Sequence, residues 1–216
     1  MTHYTILVAG GSGSRMQSDI PKQFLLLHGL PILLHTITKF TTLEDNAIIL
    51  VLPKEQISYW NELVATFPGE IQAELTQNVT IVEGGTTRFQ SVKNGLNSIK
   101  GANHDSLILV HDGVRPLLSI DLIQRVVDEA KHKKAAAVAV PLKDTPRLMK
   151  EDGTNQSIPR DAIQLMQTPQ VFTYELMKQA FSQEDKAFFT DCASVIEAWG
   201  HPISLVLGEY TNIKIT

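Results

Sequence analysis

The sequence has one cysteine, Cys192. A lone thiol excludes an internal disulfide, and without a CxxC pair or a Cys/His cluster there is no zinc-site pattern. Positive charge is not in excess: 19 Lys and Arg face 23 Asp and Glu, a formal net charge of −4 with histidines neutral. That balance excludes a protein that holds nucleic acid by bulk positive charge. Long hydrophobic runs are missing too. Runs such as Leu107 to Val110 or Ile203 to Leu207 fall far short of the ~20 residues that cross a bilayer, so no membrane partner is expected. No basic region precedes an apolar stretch at Met1-Thr2-His3-Tyr4, which does not read as a signal peptide; the expectation is a cytoplasmic protein. There is no internal repeat and no low-complexity tract.

What is present is enough apolar sequence for a sizeable core: 43% of 216 residues, a length that suits one domain over residues 1–216. Short apolar runs at Tyr4–Ala9, Ala47–Leu52, Thr80–Glu83, Ser106–His111, Ala135–Pro141 and Ser204–Leu207 read as strands. Several are continuous rather than alternating, as in a sheet covered on both faces. Between them run helical stripes: Leu33, Leu34, Ile37 and Phe40 after Pro31, which suits a first helical position; then Ile57, Trp60, Leu63, Val64 and Phe67; then Leu122, Ile123, Val126, Val127 and Ala130. The alternation predicts an α/β fold, a Rossmann-like, mostly parallel twisted sheet flanked by helices, with ligands outside the carboxyl ends of the strands. Residues 142–165 break the rhythm with Pro146, Pro159 and the hairpin-turn pair Asp152-Gly153. This insertion reads either as a lid or intersubunit arm or as a long surface loop.

The first strand runs into Gly10-Gly11-Ser12-Gly13-Ser14-Arg15. Glycines there let backbone N–H groups approach a polyphosphate without a Cβ in the way, and they equally suit a tight strand-to-helix connection. A Walker loop is excluded, because GxxxxGK followed by Ser or Thr is absent. A dinucleotide fingerprint is excluded as well, since Met16 stands where a third Gly or Ala is needed and no Asp or Glu occurs between Asp19 and Glu44. Arg15 and Lys22 flank the turn, and two cations beside a glycine nest suit charge developing on a transferring phosphate.

Ala9-Gly10-Gly11-Ser12-Gly13-Ser14-Arg15-Met16 followed by Pro21-Lys22-Gln23-Phe24 resembles the nucleotide-binding signature of sugar-phosphate and polyol-phosphate nucleotidylyltransferases. Within that group the sequence is most similar to the 2-C-methyl-D-erythritol 4-phosphate cytidylyltransferases. Further signatures follow in the family's order: Gly84-Gly85 with Arg88 and Ser91, His111-Asp112-Gly113-Val114-Arg115-Pro116, Asp144-Thr145, Gln167-Thr168-Pro169-Gln170, Thr190-Asp191 and Asn212-Ile213-Lys214. Together they span nearly the whole chain.

The resemblance implies transfer of CMP from CTP to a polyol-phosphate acceptor, with Mg²⁺ as cofactor. Arg15, Lys22 and Lys214 would be catalytic. Ala9, Gly10, Gly11, Ser12, Gly13, Gly85, Ser91, Asp112 and Arg115 would bind nucleotide, with Asp112 at the metal. Asp144, Thr145, Arg160, Thr168, Thr190, Asp191 and Lys214 would bind the acceptor. Residues 142–165 would be an arm crossing a two-fold homodimer with shared active sites. Three points stay open from the residues themselves: Arg115 is a nucleotide contact or an anchor, His111 a ligand or a buried structural histidine, and Thr86 or Thr87 a helix cap. Thr190-Asp191 also reads as the N-cap of a helix over Cys192–Trp199, and Cys192 as packing or a surface thiol. Methylerythritol phosphate and ribitol 5-phosphate are both acceptors of this chemistry, and Thr190-Asp191 with Asn212-Ile213-Lys214 favours the former. A non-catalytic nucleotide-binding regulator would need the glycine turn but not Arg15, Lys22 and Lys214 together. The family's chains continue past Asn212-Ile213-Lys214-Ile215-Thr216 into a further helix, a departure that bears on stability or solubility rather than on the site.

Overall fold

The computed structural model describes residues 2–10 and 20–216. The expected turn residues Gly11, Ser12, Gly13 and Arg15 lie outside the described residues. In chain order the elements are β1 (His3–Val8), a 3₁₀ turn (Lys22–Phe24), β2 (Leu26–Leu27), β3 (Leu30–Pro31), α1 (Ile32–Thr41), β4 (Asn46–Leu52), α2 (Lys54–Val64), α3 (Gly69–Asn78), β5 (Val79–Glu83), α4 (Arg88–Ser98), β6 (Leu107–Asp112) and α5 (Ile120–Lys133). Then follow β7 (Ala135–Pro141), β8 (Arg147–Met149), β9 (Asn155–Ser157), a second 3₁₀ turn (Arg160–Ala162), β10 (Gln164–Thr173), α6 (Tyr174–Ala180), α7 (Cys192–Ala198) and β11 (Ser204–Leu207). Pro31 precedes α1 as its N-cap rather than opening the helix, and Phe67 falls beyond the end of α2. No helix among the described residues is long and apolar enough to cross a membrane.

Seven strands form the central sheet in the order β11-β7-β10-β6-β1-β4-β5. Every neighbour pair is parallel except those of β10, which runs antiparallel to both β6 and β7. The continuous apolar runs have the predicted cause. Leu7, Leu50 and Leu109 face α1, α2 and α5, while Ile6, Val51 and Val110 face α4, α6 and α7. The central strands β1, β4 and β6 therefore bury both of their faces, whereas the edge strands β5 and β11 leave one partly open.

β10 is not among the expected strands, as α3 and α6 are not among the expected helices, and Pro169 stands within it, where a proline cannot donate to the ladder. The chain accommodates it at an irregularity. Met166 pairs with Ala139 and Gln170 with Ala137, so β10 carries two more residues than β7 over the same stretch. That detaches Gln167 and Thr168 from the ladder and turns their polar groups toward the carboxyl ends of the parallel strands. The Asp152-Gly153 turn closes as expected: β8 pairs antiparallel with β9, Gly153 adopts φ +81°, and Asp152 accepts from the Thr154 N–H at 2.9 Å. Leu148 and Met149 on this hairpin are exposed.

Helix α4 approaches the sheet through Gly95. A Cβ there would sit 2.9 Å from Ile6 Cγ2 and 3.0 Å from Val51 Cγ2, branch methyls of buried β-branched residues that have little room to yield. An exposed helical glycine gains about 1 kcal/mol on replacement by alanine. Here overpacking of about 1–3 kcal/mol outweighs that gain. Gly95→Ala is expected to lower Tm by about 2–6 °C, measured by thermal unfolding; a raised Tm would contradict the close approach.

Candidate active site

Two clefts open at the carboxyl edge of the sheet. The first is bounded by the end of β1 (Ala9, Gly10), by Lys22, and by the loop from β5 into α4 (Gly84, Gly85, Thr86, Thr87). The second is bounded by Thr168 on β10, by Thr190 and Asp191 before α7, and by Arg115. Arg88, Asp112 and Lys214 line both.

Each wall has a local cause. Gln23 is fully buried and donates from Nε2 to the Ala9 carbonyl at 2.8 Å, which ties the Lys22–Phe24 turn to the end of β1. Thr87 is the N-cap of α4, its hydroxyl accepting from the Gln90 N–H at 3.1 Å. The carbonyl Oε1 of Gln90 reaches back to accept from both the N–H and the hydroxyl of Thr86. Ser91 is buried and its hydroxyl accepts from the Gly85 N–H at 3.1 Å, so it shapes the loop from behind. Asp191 caps α7 with a reciprocal Ser194 bond. Gln170 accepts from the Cys192 and Ala193 N–H groups and donates to Asp191 Oδ2 at 2.7 Å.

Asp112 ends β6 and is buried. Its Oδ1 lies 3.1 Å from Arg88 Nη1, and its Oδ2 lies 3.2 Å from Arg115 Nε and 3.1 Å from Lys214 Nζ. Burial by itself would raise this carboxyl. The charge of Arg88, then those of Lys214 and Arg115, outweighs burial and holds the group well below the usual carboxylate range. Arg115 anchors rather than reaching into the first cleft, since Nη1 donates to the Asn212 carbonyl at 2.7 Å. Asn212, fully buried, donates to Gln167 Oε1 and to the Thr168 carbonyl, and the Ile215 N–H bonds the Val114 carbonyl. These bonds bring Lys214 to Asp112.

His111 is fully buried, and its hydrogen bonds assign its tautomer. The Arg115 carbonyl can only accept, so Nε2–H donates to it at 3.3 Å. Nδ1 then accepts from the Thr168 hydroxyl at 2.9 Å, and that hydroxyl in turn accepts from the Asp112 N–H at 3.1 Å. Burial lowers the imidazole to about 4. Of its two readings, the buried structural histidine is the one observed. Cys192 is buried, and burial pushes its thiol up to about 12, which suits packing rather than nucleophilic chemistry.

Among the described residues, no group of three or more His, Cys, Asp or Glu side chains could hold a metal ion. The donor set fits Mg²⁺ in a narrower sense. Among the described residues, Asp112 Oδ1 accepts from Arg88 alone and keeps lone-pair capacity. One carboxylate plus substrate phosphates and water is an ordinary magnesium environment. Asp144, Thr145 and Arg160 line neither cleft. The exposed Arg160 side chain donates to the Lys143 carbonyl at 3.1 Å, at the base of the β8–β9 hairpin. Arg88 stands in the Gly84-Gly85 signature with no role that the resemblance implies, and nothing local in the sequence signals its approach to Asp112.

A mostly parallel α/β sheet whose carboxyl edge carries a cation-rich double cleft defines a Rossmann-like protein suited to phosphorylated ligands. Comparisons with known proteins narrow the class. The model of the 2-C-methyl-D-erythritol 4-phosphate cytidylyltransferase family matches residues 4–216, and the chain belongs to that family. It is 43% identical to the cytidylyltransferase of that name from Phocaeicola vulgatus, over 100% of this chain and 94% of the relative. It is 40% identical to that of Lachnoclostridium phytofermentans, over 98% and 89%. The solved structure of the Francisella tularensis cytidylyltransferase superposes with a TM-score of 0.79 at 30% identity, covering 100% of this chain and 94% of that one.

The neutral, buried His111 predicts a pH dependence of stability. A histidine lowered in the folded state contributes stability that is complete above the unfolded value of 6.5 and is lost as pH falls toward 4. A shift of this size corresponds to about 3 kcal/mol. His3, lowered mainly by burial, acts in the same direction. Tm is expected to fall as pH drops from 7 to 4, and His111→Gln should start lower and fall less steeply. An identical slope in the variant would exclude a buried neutral imidazole.

Proposed function

We propose that this chain transfers CMP from CTP to 2-C-methyl-D-erythritol 4-phosphate, giving 4-diphosphocytidyl-2-C-methyl-D-erythritol and pyrophosphate in non-mevalonate isoprenoid biosynthesis. The observation that carries the reading is the seam between the clefts, where Asp112 gathers Arg88, Arg115 and Lys214, in a chain matched to that family over residues 4–216.

CTP occupies the first cleft. The Gly84–Thr87 loop, whose Gly84, Gly85 and Thr86 N–H groups are held by the Leu52 carbonyl, Ser91 and Gln90, offers its carbonyl oxygens to the cytosine amino group, and the glycine turn and Lys22 receive the triphosphate. The acceptor occupies the second cleft, its phosphate near Lys214 and its polyol near Thr168, Thr190 and Asp191. That phosphate is already anionic near neutral pH, so its oxygen attacks the α-phosphorus in line without a general base. Arg15 and Lys22 offset charge on the pentacoordinate phosphorus and the departing pyrophosphate, and Lys214 orients the acceptor's phosphate. Asp112 would hold Mg²⁺, which when bound would supply neutralisation of the triphosphate charge.

The absence of Asp144, Thr145 and Arg160 from both clefts supports a second subunit. The hairpin and its base form an arm that reaches across a two-fold axis and contributes Arg160 to the partner's acceptor pocket. Leu148 and Met149, exposed on one chain, are buried by the exchange. The single domain of residues 1–216, with its insertion at 142–165, then acts as a homodimer in the cytoplasm.

Two experiments test these readings. Pyrophosphate release is measured with CTP and Mg²⁺, offering 2-C-methyl-D-erythritol 4-phosphate and ribitol 5-phosphate in turn. Turnover is expected with the first, lost on chelation and not supported by ATP; turnover with ribitol 5-phosphate alone would overturn the acceptor assignment. The shared site is tested by mixing two inactive variants, Arg15→Ala and Arg160→Ala, after mild dissociation. Random reassortment makes about half the dimers mixed, each with one intact site, so roughly a quarter of native activity returns. If subunits exchange and no activity returns, Arg160 does not serve the partner.

A further inference from the structure

Arg88 is the first residue of α4, next to Thr87 in the loop that walls the first cleft, yet its guanidinium also reaches the second. The three residues common to both clefts have unequal capacities. Asp112 is an anion with both oxygens engaged. Lys214 is a flexible point charge on the C-terminal segment, 43% exposed. Arg88 is a planar fork, 23% exposed at the side chain, whose Nη1 bonds Asp112 Oδ1 and whose other N–H groups bond nothing among the described residues. Arg115 differs: its Nε and Nη1 are committed to Asp112 and the Asn212 carbonyl, and it stands outside the first cleft.

The group that must occupy such a seam follows from the reaction. CTP lies on one side and the acceptor on the other, and only the α-phosphoryl group belongs to both, first as part of the donor and then as part of the product. We propose that Arg88 is a catalytic residue that donates a guanidinium N–H to a non-bridging oxygen of the transferring α-phosphate. This rests on the reading of the two clefts given under Proposed function. Asp112 orients the guanidinium through Nη1 and leaves the rest of the fork facing the seam. In the step itself, a lone pair on the acceptor's phosphate oxygen forms a bond to the α-phosphorus. The bond from that phosphorus to the oxygen bridging α and β breaks, and its electron pair leaves on pyrophosphate. Arg88 transfers no proton. Its hydrogen bond strengthens as the non-bridging oxygens gain charge, so it acts on kcat and not on binding alone.

The test uses the full-length chain with Mg²⁺, the acceptor, CTP and the two diastereomers of its α-phosphorothioate, in which sulfur replaces one non-bridging oxygen. Arg88→Ala is expected to lower kcat by on the order of 10²–10³, the scale for losing one preorganised donor. Arg88→Lys keeps the charge but not the fork and should recover little of the loss. The decisive readout is the ratio of rates for the two diastereomers, which a residue acting only as a prop for Asp112 would leave alone. The native chain should favour one diastereomer, and Arg88→Ala should lose much of that preference. Circular dichroism melts of both variants check folding, and if Arg88→Ala does not fold, the same ratio is read on Arg88→Lys. A native kcat in the folded variant, or a reduced kcat with an unchanged diastereomer ratio, would overturn the role of Arg88 while leaving the function intact. A native chain that releases no pyrophosphate from CTP with either acceptor would overturn the function, and this role with it.

Discussion

The structure at the carboxyl edge of the sheet depends on one buried carboxylate. Asp112 draws in cations from three separate parts of the chain: Arg88 at the start of α4, Arg115 in the loop after β6, and Lys214 in the final segment. A carboxylate out of water is tolerated only when charges and hydrogen bonds compensate it. Here the compensation exceeds the charge of the anion. The surplus is positive and faces the clefts, where phosphate groups of both substrates would complete the balance. Removing Asp112 would leave three cations crowded together, and the cost of breaking such a buried cluster, about 3–5 kcal/mol, would fall on fold and site alike.

Around that centre runs a polar network that keeps distant segments in register. Thr168 links Asp112 to His111 through one hydroxyl, and Asn212 links Arg115 to Gln167 and Thr168. Gln170, one turn of β10 further on, holds the start of α7 and with it Thr190 and Asp191. All of these contacts except the bond from Arg115 to the Asn212 carbonyl pass through the irregular stretch of β10. A regular strand there would have directed its backbone groups into the ladder with β7, leaving the C-terminal segment without partners. The same irregularity therefore helps place Lys214 at the seam of the two clefts and the α7 cap on the wall of the second.

The β8–β9 hairpin stands apart from this network. It has no buried residue, its apolar side chains face outward, and Asp144, Thr145 and Arg160 near its base line neither cleft of the same chain. Its local structure is nevertheless specific, since the Asp152 side chain and Gly153 close the turn without help from the sheet.

The sequence by itself determined the sheet and the chemistry. Apolar runs such as Leu107 to Val110 encode strands covered on both faces, because every side chain in them must leave water whichever way it points. The Asp152-Gly153 turn and the Asp191 cap are legible for the same reason: each is decided within a few residues. Tertiary structure alone decided that β10 inserts antiparallel between β6 and β7. Pro169 argues against a strand locally, and only pairing with distant neighbours outweighs it. It alone decided that Thr87 rather than Thr86 caps α4, that Arg115 anchors, and that Arg88 and Lys214 meet on Asp112. Periodicity and turn chemistry report how a segment meets solvent. Which charges share one carboxylate depends on where whole elements dock, and that is settled by packing across the sheet rather than by any stretch of neighbouring residues.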